Sequence, residues 1–267
     1  MLFSPAPPPD LTRSRLPITV TGAASLRSLR NLLRSPALLI SPLAQSLFFL
    51  LVYTGQLSTV GRDYLSGGSF ISFLLPLVLV TAVATGAGAA GTLVHQDVSS
   101  GYLDRLRMAH GTSMPFLIGS LVATLVAVAF QQIVTVAGAM AVGYRPGSWP
   151  GVVAMLGAML ALGCSVALFT VALAVRGASI SSINLVSLIV FGLSFFTGFF
   201  APVEQLSGWM RTVATVNPIT CLVETARDLE SGAALEAAPI ATLVLVTLLV
   251  AGAGACASSL NHARRTR

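Results

Sequence analysis

The sequence predicts an all-α integral membrane protein with six transmembrane helices. Of its 267 residues, 55% are hydrophobic and only 9% are charged, which is not the composition of a soluble domain. Six uncharged stretches reach the length of about 20 residues that a helix needs to cross a bilayer. They lack the alternation of polar and apolar residues that marks a membrane barrel, so each is predicted to be a helix. The predicted spans are residues 36–57, 70–94, 114–142, 151–175, 179–201 and 239–257.

The placement of arginine predicts the orientation of these spans. The 15 basic residues are all arginine and lie at the ends of spans, rather than in the single stripe of a nucleic-acid-binding surface. Cytoplasmic loops are enriched in arginine. A cytoplasmic N-terminus leaves only four arginines outside, namely Arg62, Arg145, Arg211 and Arg227. Both termini, including the tail at 258–267, are therefore expected in the cytoplasm.

The composition also suggests where the chain resides. Abundant Ala, Gly and Val, with arginine in place of lysine, are typical of a GC-rich bacterial coding sequence. The polar, proline-containing segment before the first span lacks the apolar core of a signal peptide, so no removal is expected. A multi-pass protein of the bacterial cytoplasmic membrane is predicted.

Residues 1–35 are predicted to form a cytoplasmic segment that contains an amphipathic interfacial helix. Leucines and arginines form two stripes at helical spacing, and Ser35-Pro36 ends the pattern. The stripes consist of Leu26, Leu29 and Leu33, and of Arg27, Arg30 and Arg34. The leucines would enter the acyl boundary, and the arginines would face anionic headgroups. Ordinary positive flanking of the first span is the alternative.

Several larger polar side chains lie within the predicted spans, and four of them stand out. They are Gln45, Gln131, Gln132 and Asn184. In lipid, each requires a polar partner or a wet cavity. Hydrogen bonding between helices and contact with a substrate are the two interpretations.

The link between the second and third spans, residues 95–113, is longer than a turn requires. We name it the coupling link. Leu103 and Leu106 share one helical face, and Gly111 is suited to end a helix. The pattern predicts a short amphipathic cytoplasmic helix that another protein could push. A solvated loop helix without a partner is the alternative.

The coupling link carries Asp97 followed by a run of six residues with a recognisable pattern. The run is Gly101, Tyr102, Leu103, Asp104, Arg105 and Leu106. It resembles the acidic residue and G-T-L-E-x-L of the type 2 ABC exporter permeases, the family of the daunorubicin-resistance-like transmembrane subunits. Tyr102 replaces the usual threonine, and His110 stands where a proline often ends the motif. The resemblance implies that these residues form a coupling helix seated in a cleft of a separate ATPase subunit.

A second pattern lies before the last span, in residues 202–232, which we name the external hairpin. Leu206, Trp209 and Met210 share a helical face, Asn217-Pro218 breaks the helix, and a second amphipathic helix follows. Glu224 and Arg227 could pair at the i, i+3 spacing of that second helix. An extracellular helical hairpin is therefore predicted, and a loop resting on headgroups is the alternative.

The external hairpin is similar to the same family. The matching residues are Gly198, Phe200, Pro202, Trp209, Arg211, Asn217, Pro218, Thr220, Glu224, Arg227 and Gly232, against G-x-F-x-P…W-L-R…N-P-x-T…E-x-x-R…G. Ser207 stands where a proline is common. The resemblance implies that the hairpin caps the exit of a transport pathway. Together with six spans, it covers most of the chain.

The resemblance implies the permease subunit of an ABC exporter, which moves a hydrophobic or amphipathic substrate, lipid or drug-like, by alternating access. The sequence contains no G-x-x-x-x-G-K-[ST] motif and no lysine to complete one. This chain is therefore expected to be no enzyme and to bind no cofactor, with ATP and Mg on a partner. The expected partners are two P-loop ATPase subunits, a second permease copy or a paralogue, and the lipid bilayer, but no nucleic acid.

Other functions are weighed by the chemistry they need. A proton-coupled secondary transporter requires ionisable groups within the membrane, and the predicted spans contain none. An intramembrane metalloprotease requires ligands such as H-E-x-x-H, whereas the three histidines and three cysteines have no metal-ligand spacing. No metal site is expected. A polytopic membrane scaffold remains an alternative.

Overall fold

The computed structural model describes residues 16–64, 70–103, 105, 108, 114–198, 203–232 and 238–265. Regular structure in these residues is helical throughout. The helices, in order, are α1 (Leu16–Arg34), α2 (Pro36–Tyr64), α3 (Phe70–Ala87), α4 (Ala89–Ser99), α5 (Met114–Ala141), α6 (Trp149–Val175), α7 (Ile180–Ser194), α8 (Gly208–Val216), α9 (Pro218–Ser231) and α10 (Ala238–Arg265). The all-α prediction is confirmed.

Five helical stretches are long and apolar enough to cross a membrane. They are Pro36–Gln56, Phe70–Ser99, Met114–Ala141, Trp149–Val175 and Ile240–Ser259. Each contains most of a predicted span, so five of the six predicted spans coincide with helices of sufficient length and apolarity. The helices also run beyond the predicted limits, because α2 continues to Tyr64 and α10 to Arg265. Most of the predicted tail, 258–267, is therefore a continuation of the last span.

The fifth predicted span, residues 179–201, is not confirmed as a full crossing. Its helix, α7, has 15 residues, or roughly 22 Å at 1.5 Å per residue, against a bilayer core of about 30 Å. The side chain of Ser179 caps its start. Near its end, the carbonyl of Leu193 accepts a hydrogen bond from the external hairpin. Because a side chain of another helix satisfies this carbonyl, α7 can end without exposing bare backbone groups to lipid.

The second span lies at the centre of the bundle. In its most apolar window, 78% of the residues are buried, against 22% for the first span and 17% for the last. Helix α3 packs against α2, α5, α6 and α7. The first and last spans therefore lie at the periphery, and a movement of the second span would reach most of its neighbours directly.

The second span is also longer than predicted and is interrupted once. A local irregularity at Gly88, whose backbone angles stay helical at φ −61° and ψ −22°, separates α3 from α4, and the span then runs on to Ser99. The predicted coupling link, 95–113, was therefore placed too early, because its first five residues continue the span. The link turns at Ser100 and Gly101 instead, and helix resumes at Tyr102.

Helix α1 confirms the predicted N-terminal helix and its end before Pro36. It packs along α5, where a Cβ added to Gly119 would lie 2.8 Å from backbone atoms of Ala24 and Ser25. Leu32 is fully buried, whereas Leu26 and Leu33 are exposed. The helix is thus docked on the protein along one face and presents leucines outward along another.

Candidate functional site

An ion pair joins α1 to the end of the second span. The guanidinium of Arg27 donates two hydrogen bonds to the carboxylate of Asp97, of 2.9 Å from Nη2 to Oδ1 and 3.2 Å from Nη1 to Oδ2. The two side chains are 34% and 19% exposed. Bidentate pairs of this kind fix orientation as well as distance. We name this pair, together with Tyr102, the inner clamp.

Tyr102 completes the inner clamp from the coupling link. The Arg27 Cζ atom lies 3.8 Å from the centre of the Tyr102 ring, a cation–π contact. The same ring packs edge-to-face on Phe116 of α5, with 5.6 Å between centroids. The tyrosine that departs from the family's threonine thus has a structural role, because it links α1, the coupling link and α5.

The electrostatics of the clamp favour the charged arginine. The hydrogen bonds that Arg27 donates to Asp97 raise the pKa of Arg27, against the lowering effect of partial burial. Arg27 was predicted to face lipid headgroups with Arg30 and Arg34. It pairs with a carboxylate instead, and only Arg30 and Arg34 have exposed side chains. The headgroup stripe is therefore shorter than the sequence pattern suggested.

The remaining motif residues of the coupling link divide into inward and outward positions. Gly101 has φ of 68°, the left-handed region in which a side chain is disfavoured. Leu103 is only 5% exposed and belongs to the main apolar core. Arg105 and Met108 point outward, and Met108 is 81% exposed. Leu103 thus anchors the link, and the outward residues remain available to a partner.

Some predicted positions lie outside the described residues. In the coupling link these are Asp104 and Leu106, together with His110 and Gly111. In and just before the external hairpin they are Pro202 and Phe200.

The external hairpin consists of a short 3-10 turn, Val203–Gln205, followed by α8 and α9. Asn217 stands between the two helices and is 4% exposed. Its Oδ1 accepts a hydrogen bond of 3.0 Å from the Ile219 amide, and its Nδ2 donates one of 2.7 Å to the Leu193 carbonyl. Pro218 occupies the first turn of α9, where a missing N–H costs nothing. One side chain therefore starts α9 and fastens it to α7.

Arg227 fastens the hairpin to two further backbone positions. Its Nε donates 3.0 Å to the Phe73 carbonyl in α3, and Nη2 donates 3.5 Å to the Gly198 carbonyl. Its Cζ lies 3.6 Å from the centre of the Phe73 ring. Burial lowers the pKa of Arg227 to about 10, against the charges of Glu224 and Asp228, which raise it. The guanidinium is therefore still charged at neutral pH.

The other predicted hairpin residues lie nearer the surface. Trp209 on α8 is 67% exposed, as expected of an amphipathic ring at a membrane interface. Glu224 on α9 is partly buried and acts on Arg227 through its charge. Asn217 thus lies at the start of α9, and Glu224 and Arg227 lie along the same helix. Trp209 lies apart from them on α8.

Sequence reasoning missed a second attachment of the hairpin. Glu230, 5% exposed, accepts hydrogen bonds of 3.1 Å from the Tyr144 hydroxyl and from the Gly147 amide. Burial, and secondly the Glu230 charge, raise the pKa of Tyr144. One sequence signal was present, because Glu230 follows Ala226 by four residues on the apolar face of α9. An acidic residue on such a face requires a buried partner.

The polar side chains of the spans separate into two groups. Gln131 and Gln132 are buried in α5, and three of their side-chain polar atoms have no hydrogen-bond partner within the described structure. Ser46 of α2 and Thr135 of α5 share a hydrogen bond of 2.9 Å, so polar contact between helices does occur. Gln45 and Asn184 instead line an open groove beside α4.

Comparison with known proteins adds two findings. The family described as ABC-2 type transporter matches residues 19–231, from α1 to the end of α9. The daunorubicin resistance ABC transporter permease protein DrrB1 of Streptomyces coeruleorubidus is 29% identical over 208 residues. This similarity covers 74% of the present chain and 70% of that relative. The matched region includes the inner clamp and both helices of the external hairpin.

Proposed function

This chain belongs to the ABC-2 type transporter family as a membrane-embedded subunit, and we propose that it exports a hydrophobic or amphipathic substrate by alternating access. Two separate P-loop ATPase subunits supply the energy, and a second permease copy or a paralogue completes the pathway. ATP and Mg bind to the ATPase subunits, and this chain provides no catalytic group. The substrate is a lipid or a drug-like molecule, in keeping with the relative named for daunorubicin resistance.

The observation that carries this proposal is the inner clamp. Asp97 lies at the end of the most buried span, and its carboxylate is held by Arg27 of α1. Force applied to the coupling link therefore enters α4 and α1 together. ATP binding would close the ATPase dimer against the link, and the differential affinity of the two permease states for that closed dimer would shift their populations.

The surface of the link supports a partner at this place. Arg105 and Met108 are exposed, whereas Leu103 is anchored in the core. A basic residue beside an exposed methionine offers charge and an adaptable apolar contact at one position. The ATPase cleft would cover both side chains.

The arrangement of arginines supports the orientation. Arg27, Arg30 and Arg34 lie on α1, beside the coupling link. The external hairpin is attached near Phe73, at the opposite end of the second span. By the positive-inside rule, α1 and the link face the bacterial cytoplasm, and the hairpin lies at the outer surface.

Charge reversal of Arg105 tests the coupling role. The chain is reconstituted with its ATPase subunits in lipid nanodiscs, and both ATPase binding and ATP turnover are measured. Arg105→Glu should weaken ATPase binding about tenfold or more, the loss expected of one interfacial charge contact. Arg211→Glu is the matched control, because Arg211 is also exposed but lies on α8 of the hairpin.

Two outcomes would contradict the proposal. In the first, Arg105→Glu and Arg211→Glu affect binding and turnover equally. In the second, proteoliposomes that contain only this chain move cargo without any ATPase. Either result would favour a secondary transporter or a scaffold.

A further inference from the structure

An apolar pocket lies where α1 ends and α2 begins. Its volume is about 320 Å³, at the low end of the range of small-molecule sites, about 300–1,000 Å³. Helix α1, the start of α2, the junction of α3 and α4, and the middle of α5 all contribute to it. Apart from Gln131, the residues that line it are apolar. We name it the α1–α2 pocket, and its lining includes Leu29, Leu33, Leu38, Leu43 and Phe130.

The mouth of the α1–α2 pocket is apolar and open to the surroundings. Leu33, Ile40 and Phe130 line the pocket and are 61%, 59% and 61% exposed. Ile40 and Phe130 belong to stretches that are long and apolar enough to cross a membrane. Their exposed side chains therefore meet acyl chains in a bilayer. On the inner side, Leu32 and Ala89 are almost fully buried and close the pocket.

Positive charge lies beside this apolar mouth. Arg34 is the last residue of α1, its side chain is exposed, and it directly follows Leu33 of the lining. Among the described residues, no carboxylate forms an ion pair with it. Helix α2 begins two residues later, at Pro36, and the start of a helix carries a partial positive charge. An anion at this turn would gain from Arg34 and from the start of α2 without displacing a carboxylate.

The combination of an apolar pocket and a neighbouring cation matches a phospholipid. An empty pocket forfeits the dispersion contacts of its lining, and a single narrow chain fills a volume of this size. Acyl chains surround the mouth in a bilayer, and a chain that enters exchanges one apolar environment for another. The contact between headgroup and protein therefore decides which lipid stays, and Arg34 favours a negative headgroup.

We propose that the α1–α2 pocket binds one acyl chain of an anionic phospholipid, whose phosphate contacts Arg34 at the turn between α1 and α2. The bound lipid contacts α1, α2 and α5 together and stabilises the turn at Ser35. Arg34 lies on the same helix as Arg27 of the inner clamp, so the orientation proposed above places this lipid in the cytoplasmic leaflet. Lipid binding itself involves neither ATP nor cargo, and the site does not depend on the export function.

Brominated lipids test the site, because bromine on an acyl chain quenches the fluorescence of a tryptophan that it touches. Phe130→Trp places the reporter at the mouth, in a full-length chain that also carries Trp149→Phe and Trp209→Phe. This chain is reconstituted in phosphatidylcholine nanodiscs that contain increasing fractions of brominated phosphatidylglycerol or brominated phosphatidylcholine. Phosphatidylglycerol should bind about fivefold more tightly, the effect of one arginine near an anionic headgroup.

A second reporter position controls for lipids that merely surround the protein. Phe48 is 59% exposed on α2 but does not line the α1–α2 pocket. Phe48→Trp, in the same background, should be quenched equally by the two brominated lipids. A preference for phosphatidylglycerol that appears only at Phe130→Trp would therefore report the pocket.

Two pairs of variants test the contacts in the Phe130→Trp chain. Arg34→Gln should abolish the preference for phosphatidylglycerol, whereas Arg30→Gln should keep it. Arg30 is the matched control because it is also exposed on α1 but lies four residues farther from the start of α2. Ala127→Leu should remove the preference by filling the pocket. Ala129→Leu, at a partly buried position of the same helix outside the pocket, should keep it.

Three outcomes would overturn the proposal. The first is equal binding of the two lipids at Phe130→Trp. The second is an equal loss of preference in Arg34→Gln and Arg30→Gln, because a diffuse attraction of headgroups to α1 would then explain it. The third is a reporter that neither lipid quenches, together with disulfide cross-linking of two chains through Phe130→Cys, which would show that a second copy fills the mouth. The nanodiscs contain no ATPase, so failure of the export function would leave these results unchanged.

Discussion

Breaking the inner clamp should release α1 from the coupling link. The perturbation is Arg27→Met, which keeps most of the side-chain length but removes two hydrogen bonds to Asp97 and the contact with Tyr102. Asp97→Asn and the double variant complete a double-mutant cycle. Arg30→Met is the control, because Arg30 lies on the same helix with an exposed side chain.

The magnitude follows from the geometry and the exposure. Fully exposed ion pairs contribute about 0.2–1 kcal/mol. The clamp is bidentate and Asp97 is 19% exposed, but Arg27 at 34% is screened by solvent, so about 1–1.5 kcal/mol is expected for the pair. The cation–π contact adds about 0.5 kcal/mol. Arg27→Met should therefore cost about 2 kcal/mol of local stability, with a coupling energy of about 1 kcal/mol between Arg27 and Asp97.

Hydrogen exchange of the full chain in nanodiscs measures this local stability. About 2 kcal/mol corresponds to roughly 30-fold faster opening, since about 1.4 kcal/mol is tenfold. The amides of α1 should exchange faster by this factor in Arg27→Met, and the double variant should be little worse than the single one. Arg30→Met should exchange like the wild type.

The reasoning would be refuted if the effects of Arg27→Met and Asp97→Asn simply added, or if α1 exchanged no faster in either variant. The docking of α1 would then rest on its packing against α5 at Gly119. The pH dependence gives a second check. The pKa of Arg27 is raised, so its contribution is present below the ordinary pKa of arginine and is lost only as the pH rises through the higher native pKa. The difference between wild type and Arg27→Met should not change between about pH 7 and about pH 9.

Three further outcomes are expected. Gly101→Ala should lower the free energy of unfolding by about 1 kcal/mol, because Gly101 has a positive φ, and it should slow ATP-driven transport. Gly177→Ala, with φ of 76° in another turn, should lower the free energy of unfolding by as much and leave ATP-driven transport unchanged. Asn217→Ser keeps the cap of α9 but loses the hydrogen bond to the Leu193 carbonyl of α7, so the free energy of unfolding should fall by about 1 kcal/mol. Asn217→Ala loses both bonds, so it should fall by about 2 kcal/mol, and thermal unfolding measures both variants. Because burial and Glu230 raise the pKa of Tyr144 from about 10, its contribution is present below that value and is lost as the pH rises through the higher native pKa. The unfolding temperature should therefore fall more steeply above about pH 10 in the wild type than in Tyr144→Phe.

The spans could be predicted because bilayer thickness imposes a length on every one of them. Five uncharged stretches match helices that are long enough to cross. The exception, α7, ends at Ser194, and one hydrogen bond at its end comes from outside its own sequence. Asn217, 24 residues beyond Leu193, donates to that residue's carbonyl. Local hydropathy cannot report a hydrogen bond from a distant helix.

The site could be predicted in its parts but not in its pairings. The motif identified Asp97, and the helical stripe identified Arg27, yet the two were assigned to different partners. They are 70 residues apart, and only the packing of α1 along α5 brings them together. The same holds for Tyr144 and Glu230, which meet across 86 residues. Periodicity gives the face of a helix on which a residue lies, whereas the tertiary fold decides what that face meets.

The two ends of the second span are held in the same way. At one end, Arg27 bonds Asp97 and lies over the ring of Tyr102. At the other, Arg227 bonds the Phe73 carbonyl and lies over the ring of the same residue. Each arginine belongs to a short surface helix, α1 or α9. The contact at each end would have to break before that end of the span could move independently of its surface helix.

This arrangement determines where a force on the coupling link would act. The span can bend most easily where its helical hydrogen bonding is weakest. Within the described residues these places include Pro76, which has no backbone N–H to donate, and the turn at Gly88. Gly88 lines the open groove beside α4 and lies directly against the Ser187 hydroxyl of α7. Under the proposed function, displacement of the link would move the inner end of the second span and bend the span, while its outer end stays held by Arg227. The second span would thus carry a movement of the link to the helices packed around it, α2, α5, α6 and α7, without any contact between those helices and the ATPase.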